Sequence, residues 1–403
     1  MKLFSAALLC LGPILSVAAV PPPAAEANLV AGNAAFAAEL YAKIAPPTGN
    51  LFFSPYSISL ALSLAYAGSG GETAAEMARV LHLPGDPAKA AQGFADLAGR
   101  LAALSPEDAT LAVGNSLWYQ QGIRLQDSYL RLARDSYHAQ IQAVDFIHRP
   151  GAACDDINRW VGEATQGKIL KLVAPDAVGS GTRVVLANAI YFKGRWESPF
   201  RSERTQPAPF YSAPGRSAPV PMMSQHAVYH LVQRPGFRLL EMPYRGRAVS
   251  LIVLLPDAVD GLPEIERQLG GDDLTTGLRQ LAAGEQYEVA LSFPRFNAET
   301  GLDLSSPLRQ LGLRAAFDPQ RADFSGIAAG REFSLSQILH KAVVEVNEQG
   351  TVAAAATGVM MSAQAVIVRP KADFRVDHPF LFFIRENSTG TLLFFGRITQ
   401  PRT

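Results

Sequence analysis

The chain has 403 residues, 36 basic against 36 acidic side chains, a formal net charge of zero and 48% hydrophobic residues. Such a balance carries no electrostatic footprint of a nucleic-acid or anionic-membrane partner. Length alone would allow two or three units, but no Pro/Ser-rich linker or charge run divides the interior, so the chain reads as one large α+β domain.

The N-terminus, MKLFSAALLCLGPILSVAAV, has one Lys2, an apolar stretch broken by Pro13, and small residues at Val17-Ala18-Ala19. It reads as a secretory signal over residues 1–27, cleaved after Ala19 or Ala27, too short and interrupted to cross a membrane. Leu9 is too large for Cys10 to be a lipoprotein anchor. A secreted protein is expected, periplasmic in a Gram-negative host. Without the leader, Cys154 is the remaining cysteine and no disulfide can form within the chain.

Residues 28–45 space Leu29, Phe36, Leu40 and Ile44 as a helix ended by Pro46-Pro47. Ser54 is a candidate cap for a helix opening at Pro55, apolar almost all round and therefore buried. Gly68-Ser69-Gly70-Gly71 lacks the Lys-Ser/Thr pair and the preceding strand of a phosphate loop, and reads as a turn into a helix over 72–81. Alternation predicts a strand over 109–119, followed by a helix over 127–138 and a strand over 140–146. From Ile157 a helix presents Ile157, Trp160, Val161 and Ala164 on one face and stops at Gly167.

The continuous apolar run 184–192 predicts a strand covered on both faces, with Asn188 its one polar member. Asn188 and His340 each read by default as hydrogen-bonded core residues. Further strands are expected at 237–243, 249–255 and 287–294, and a helix at 304–311. Near the end, two apolar strands flank Glu386-Asn387-Ser388-Thr389-Gly390 as a hairpin. Asn387-Ser388-Thr389 satisfies the glycosylation pattern, relevant in a glycosylating host. There is no GxSxG, HExxH or CxxC, the seven histidines lack metal-ligand spacing, and no signal places a base beside Cys154. No enzyme, cofactor or metal is expected.

The most unusual stretch runs from Lys341 to Arg369. Ala342-Val343-Val344-Glu345-Val346 has strand composition and Asn347-Glu348-Gln349-Gly350 turns the chain. From Thr351 to Val368 there is no charge and no helical period. Ala353 to Ala356 could form a short buried helix, but Thr351, Val352, Thr357, Gly358 and Val359 around them are poor helix formers and the run is too short to offset nucleation. Read as extended, Thr351, Ala353, Ala355 and Thr357 form one alternating set with nothing larger than threonine, and Val352, Ala354, Ala356 and Gly358 the other.

KAVVEVNEQGTVAAAATG closely resembles the hinge of the reactive-centre loop in serpins, the family of suicide serine- and cysteine-protease inhibitors. SPYSISLALSLAYAGSGGETAAEM resembles the second and third helices of that family. The resemblance runs in order over nearly all of residues 28–401. It implies a single serpin domain over 28–403, with three β-sheets, about eight or nine helices and an exposed reactive-centre loop at about 348–369. A protease would attack the loop, and the cleaved loop would insert into the main sheet and trap the acyl-enzyme.

By the same resemblance Glu348, Gly350, Thr351, Val352, Ala353, Ala354, Ala355, Ala356 and Thr357 form the hinge. Val352 stands where inhibitory serpins often carry Glu, at a site expected to face out of the gap. Ser54, Ser57, Asn188 and His340 match the cluster beneath the point where the sheet parts, Trp196 the tryptophan at its top, and the helix from Ile157 the one lying across the sheet. Counting from Glu348 places the reactive bond at Gln364-Ala365, with Ala363-Gln364 and Ala365-Val366 as rivals. Small or uncharged residues there favour an elastase-like or subtilisin-like protease over a trypsin-like one, with a papain-like enzyme also open. The segment 84–108 has few basic residues, Lys89 and Arg100, so no heparin-type activation is expected. A monomer is expected. The alternative keeps the fold without inhibition, as a carrier, chaperone or storage protein, but such relatives tend to have bulky or charged hinges.

Overall fold

The structure, a computed structural model, describes residues 24–103, 108–270, 272–282, 284–330, 333–351 and 368–403. Helix α1 (Ala24–Ile44) starts four residues before the expected 28 and buries Phe36, Leu40 and Tyr41. Ala27, one candidate cleavage position, falls inside it, while Ala19 lies outside the described residues. After strand β1 (Leu51–Phe53), Ser54 caps α2 (Pro55–Tyr66) by accepting from Ser57 N, and Pro55 sits in the first turn, where its missing N–H costs nothing. All twelve residues of α2 are buried, as an apolar circumference requires. Then come α3 (Gly71–Val80) and α4 (Pro87–Ala102), the latter capped by Asp86.

Strand β2 (Ala109–Gln120) lies where alternation placed it, helix α5 (Asp127–Tyr137) matches the expected helix to within one residue, and strand β3 (Gln140–Val144) ends two residues before the expected 146. Helix α6 (Pro150–Ala164) starts seven residues before Ile157, because Pro150 at its first turn is a start signal. Strand β4 (Val184–Arg195) precedes β5 (Gln206–Ala213), β6 (Arg216–Arg234), β7 (Phe237–Pro243) and β8 (Val249–Pro256). Helices α7 (Leu262–Arg267) and α8 (Asp272–Ala282) lead to β9 (Gln286–Pro294), β10 (Phe296–Asp303) and α9 (Ser305–Leu311). The chain then runs through β11 (Gln337–Asn347), β12 (Gly350–Thr351), β13 (Lys371–Arg375), β14 (Phe380–Glu386) and β15 (Leu392–Ile398).

Among the described residues the strands form two hydrogen-bonded networks. One runs β10-β11-β12-β4-β2-β3, and the other β1-β15-β14-β8-β7-β6-β9-β13 with β5 added to β6. The three sheets implied by the resemblance are joined into two networks because β6, at 19 residues, serves successive partners: β5 over 216–222, β9 over 222–230 and β7 over 230–234. The core lies between the networks around α2. There Phe52 stacks between Phe382 and Phe394, with ring centroids 5.7 and 5.0 Å away.

In the six-stranded network, β4 and β11 lie side by side in parallel from Gln337↔Val185 to Val343↔Tyr191. Even-numbered residues of β4 and β11, such as Leu186, Ile190, Ala342 and Val344, face the main core. Odd-numbered Val185, Ala187 and Leu339 face α6 through Cys154 and Ile157. Helix α6 thus covers the lower part of the β4–β11 seam. Its Trp160 meets Trp118 edge-on, and both Trp160 and Ala164 come so close to β2 that only a glycine fits at 114.

Candidate functional site

The seam joins two segments distant in sequence and is held from below by one buried hydrogen-bond cluster. At the register His340↔Asn188, the Nε2 of His340 accepts from Ser54 N (3.1 Å), so Nδ1 carries the proton and donates to Asn188 Oδ1 (2.6 Å). The Ser57 hydroxyl donates to the same oxygen (2.8 Å), and Ser54 Oγ donates to Leu393 O (2.6 Å). Asn188 Nδ2 donates to Asn115 Oδ1 (2.7 Å), which ties in β2. Complete burial pushes the His340 imidazole down to about 3, so it stays neutral and keeps both donor and acceptor roles. Ser54, Ser57, Asn188 and His340 therefore meet at one point. Asn115 was missed, and its signal was a polar residue in the inward register of an otherwise apolar strand.

Above Val343 and Tyr191 the two strands part and β12 enters between them. Thr351 lies opposite Val346 on one side and Gly194 on the other; Gly350 lies opposite Asn347 and Arg195. Both pairings are antiparallel. Glu348, Gly350 and Thr351 are buried, which corrects the expectation of a loop exposed over about 348–369 at its first residues: Gly350 and Thr351 already have strand partners on both sides. Gly350 has φ +145°, and a Cβ there would stand 2.0 Å from Gly194 O, so no other residue fits this slot.

The walls of the slot are aromatic and polar. Trp196 stacks on Tyr244 (4.6 Å between centroids, planes 11° apart), its indole N–H donates to Asn347 O (2.9 Å), and its backbone N–H to Gln349 O (3.0 Å). The hydroxyls of Tyr244 and Thr351 are 2.7 Å apart, both residues fully buried. The carboxylate of Glu348 accepts from the Thr205 hydroxyl (2.7 Å) and from the Arg295 guanidinium, and Phe200 N donates to Glu348 O (2.8 Å). Burial opposes ionisation of Glu348, but the Thr205 and Arg295 hydrogen bonds outweigh it and hold the carboxyl below its usual range. Tyr244, Thr205 and Arg295 come from three separate segments, and no pattern marked them.

The hinge residues Val352, Ala353, Ala354, Ala355, Ala356 and Thr357, and the bond candidates Ala363, Gln364, Ala365 and Val366, lie outside the described residues. Cys154 donates to Ala174 O (3.5 Å), and burial raises its thiol pKa, so it is kept protonated and not activated.

Residues 31–401 match the family model described as Serpin (serine protease inhibitor). Leukocyte elastase inhibitor of Bos taurus is 38% identical over 93% of this chain and 100% of its own length. Serpin B10 of Otolemur garnettii is 39% identical over 87% and 94% respectively. In structure the chain is similar to Serpin48 of the insect Tenebrio molitor, with a TM-score of 0.82 at 31% identity over 93% of this chain and 98% of that one. These relatives correct the expectation of a secreted or periplasmic protein. The bovine inhibitor is matched along its whole length by a chain whose family match begins at residue 31, so the apolar N-terminal stretch that suggested export has no counterpart in it.

Proposed function

The chain belongs to the serpin family, and from that premise we propose that it is a suicide inhibitor of serine endopeptidases that traps its target by inserting the cleaved loop between β4 and β11. The observation that carries this reading is β12: two hinge residues already pair with both strands of the seam, and the next residues in sequence are small. A protease attacks the loop as a substrate and forms an acyl-enzyme through its own nucleophile. Insertion then competes with hydrolysis, carrying the tethered enzyme away from the end where cleavage began.

The driving force is of the right size. Inserting roughly a dozen residues forms on the order of a dozen backbone hydrogen bonds at about 0.5–1.5 kcal/mol each. Their sum, on the order of 10 kcal/mol, rivals the stability of a whole domain. The uninserted fold is then a kinetically held state. Thr351 faces the core beside Gly194, so Ala353, Ala355 and Thr357 follow on that side in an inserted strand, and Val352 turns to the opposite face of the sheet.

Counting from Glu348 places the cleaved bond at Gln364-Ala365. Uncharged residues there, together with relatives named leukocyte elastase inhibitor, favour an elastase-like target, with subtilisin-like and papain-like enzymes as further candidates. The test is incubation with pancreatic elastase, subtilisin, trypsin and papain, followed by denaturing electrophoresis and mass spectrometry. A covalent species at the summed mass with a released peptide starting at Ala365 is expected. Loop cleavage without that species and without a gain in thermal stability would refute the proposal.

A further inference from the structure

We propose that Tyr244 is a positioning residue for strand insertion: through its hydrogen bond to Thr351 it sets the register in which the hinge enters the sheet. This rests on the strand-insertion reading given above. Backbone hydrogen bonds cannot choose the register, because every residue of an entering strand offers the same donor and acceptor. A slip by one residue leaves the ladder intact but turns the other alternating set inward. Side-chain contacts at the point of entry must therefore decide.

Tyr244 is built as a fixed reference at that point. Its ring stacks on Trp196, meets Phe192 edge-on (5.0 Å, 70°), and lies against Gly194, where a Cβ would stand 2.7 Å from Cδ1. Its backbone N–H donates to Val249 O (2.9 Å), and Arg245 N donates to Arg195 O (2.7 Å), which fastens the segment to β4. The phenol has no route to water, so it needs a partner inside. Thr351 Oγ1 at 2.7 Å supplies it.

The residues on either side of Thr351 are Gly350 and Val352, and neither carries a hydroxyl. A slip in either direction therefore leaves a buried phenol unsatisfied, which disfavours the wrong register by on the order of tenfold. It also brings either a glycine or a valine to the inward position opposite Gly194. The hydroxyl pair selects the register with small inward residues.

The test uses the full chain with Tyr244→Phe, Thr351→Val, Thr351→Ser and the Tyr244→Phe/Thr351→Val double variant. Amide exchange of the peptide 347–351 is followed in the uncleaved protein, and the ratio of cleaved to complexed product is measured with elastase. Tyr244→Phe and Thr351→Val should each speed exchange at Gly350 and Thr351 about fivefold and raise the cleaved fraction several-fold. The double variant should add nothing further, and Thr351→Ser should behave as wild type. Additive effects, unchanged exchange, or Thr351→Ser resembling Thr351→Val would overturn the assignment. If wild type traps no protease, the inhibitory reading fails, and the register role is decided by exchange together with the gain in thermal stability on loop cleavage. A smaller gain in Tyr244→Phe and Thr351→Val supports the role; equal gains refute it.

Discussion

Replacing Thr351 by arginine tests strand insertion at its first step. Thr351 is fully buried, wedged between Val346 and Gly194 and pointing at Tyr244. The nearby carboxylate, Glu348, is already paired with Arg295. An arginine in this seat must either bury an uncompensated guanidinium, which costs several kcal/mol, or leave the sheet. Leaving forfeits the Tyr244 hydrogen bond and the backbone bonds of two residues, about 1 kcal/mol each. By either route the barrier to insertion rises by about 3 kcal/mol or more, slowing it on the order of a hundredfold. Trapping and hydrolysis compete from one acyl-enzyme, so this change converts inhibitor into substrate. Incubated with elastase, Thr351→Arg should yield cleaved chain and active enzyme with little covalent complex, and cleavage should bring little gain in thermal stability. Complex formation at the wild-type yield would refute the reasoning.

Other outcomes follow from the same geometry. His340 is held neutral with its pKa near 3, whereas an unfolded histidine titrates near 6.5. As pH falls from about 6.5 to about 3, the unfolded chain takes up a proton that the folded chain refuses, so stability falls by up to on the order of 5 kcal/mol. Denaturation midpoints of His340→Asn should therefore decline less steeply with acid than those of wild type, and parallel slopes would contradict this. Arg295→Ala leaves Glu348, 6% exposed, with Thr205 as its remaining side-chain partner. It should lower stability by about 1–3 kcal/mol, read as a drop in the thermal midpoint that Arg295→Lys largely restores. Finally, the Asn387 amide donates to Arg247 O (2.9 Å) and Ser250 Oγ (2.8 Å), while Thr389 Oγ1 donates to Glu386 (2.6 Å). Peptide mass mapping after expression in a glycosylating host should find Asn387 unmodified.

Elements with a strong local signature were legible from sequence. The apolar runs of β14 and β15 around a Ser-Thr-Gly turn, the uninterrupted run of β4 and the cap at Ser54 each carry their physics within a few residues. Strand β6 was not legible, because Pro219 and Pro221 and scattered polar residues hide its 19-residue course. Those prolines lie opposite Pro209 and Pro207, in the part of β6 that pairs with β5 alone, where a missing N–H is tolerated. Ser54, Ser57, Asn188 and His340 could be gathered in advance only through resemblance, since the pair at the seam is 152 residues apart in sequence. Tyr244, Thr205 and Arg295 escaped because a hydrogen bond between distant segments leaves no periodic trace in any of them. The seating of Gly350 and Thr351 was likewise hidden. Their small size allowed entry into the sheet, but nothing local said that entry had begun.

The parallel seam also has a consequence for how the chain reaches this state. Joining β4 to β11 closes a loop of about 150 residues, whereas the hairpin of β11 and β12 turns through Glu348 and Gln349 alone. Loop-closure entropy separates the two events by about 4 kcal/mol in favour of the hairpin. The contact that completes the seam is thus the slow, long-range one, and a rival for the same edge of β11 sits a few residues away. Folding to the state described here is a race that the distant strand must win, so slowing the arrival of β4 should lower the yield of competent molecules without altering a single contact in those that succeed.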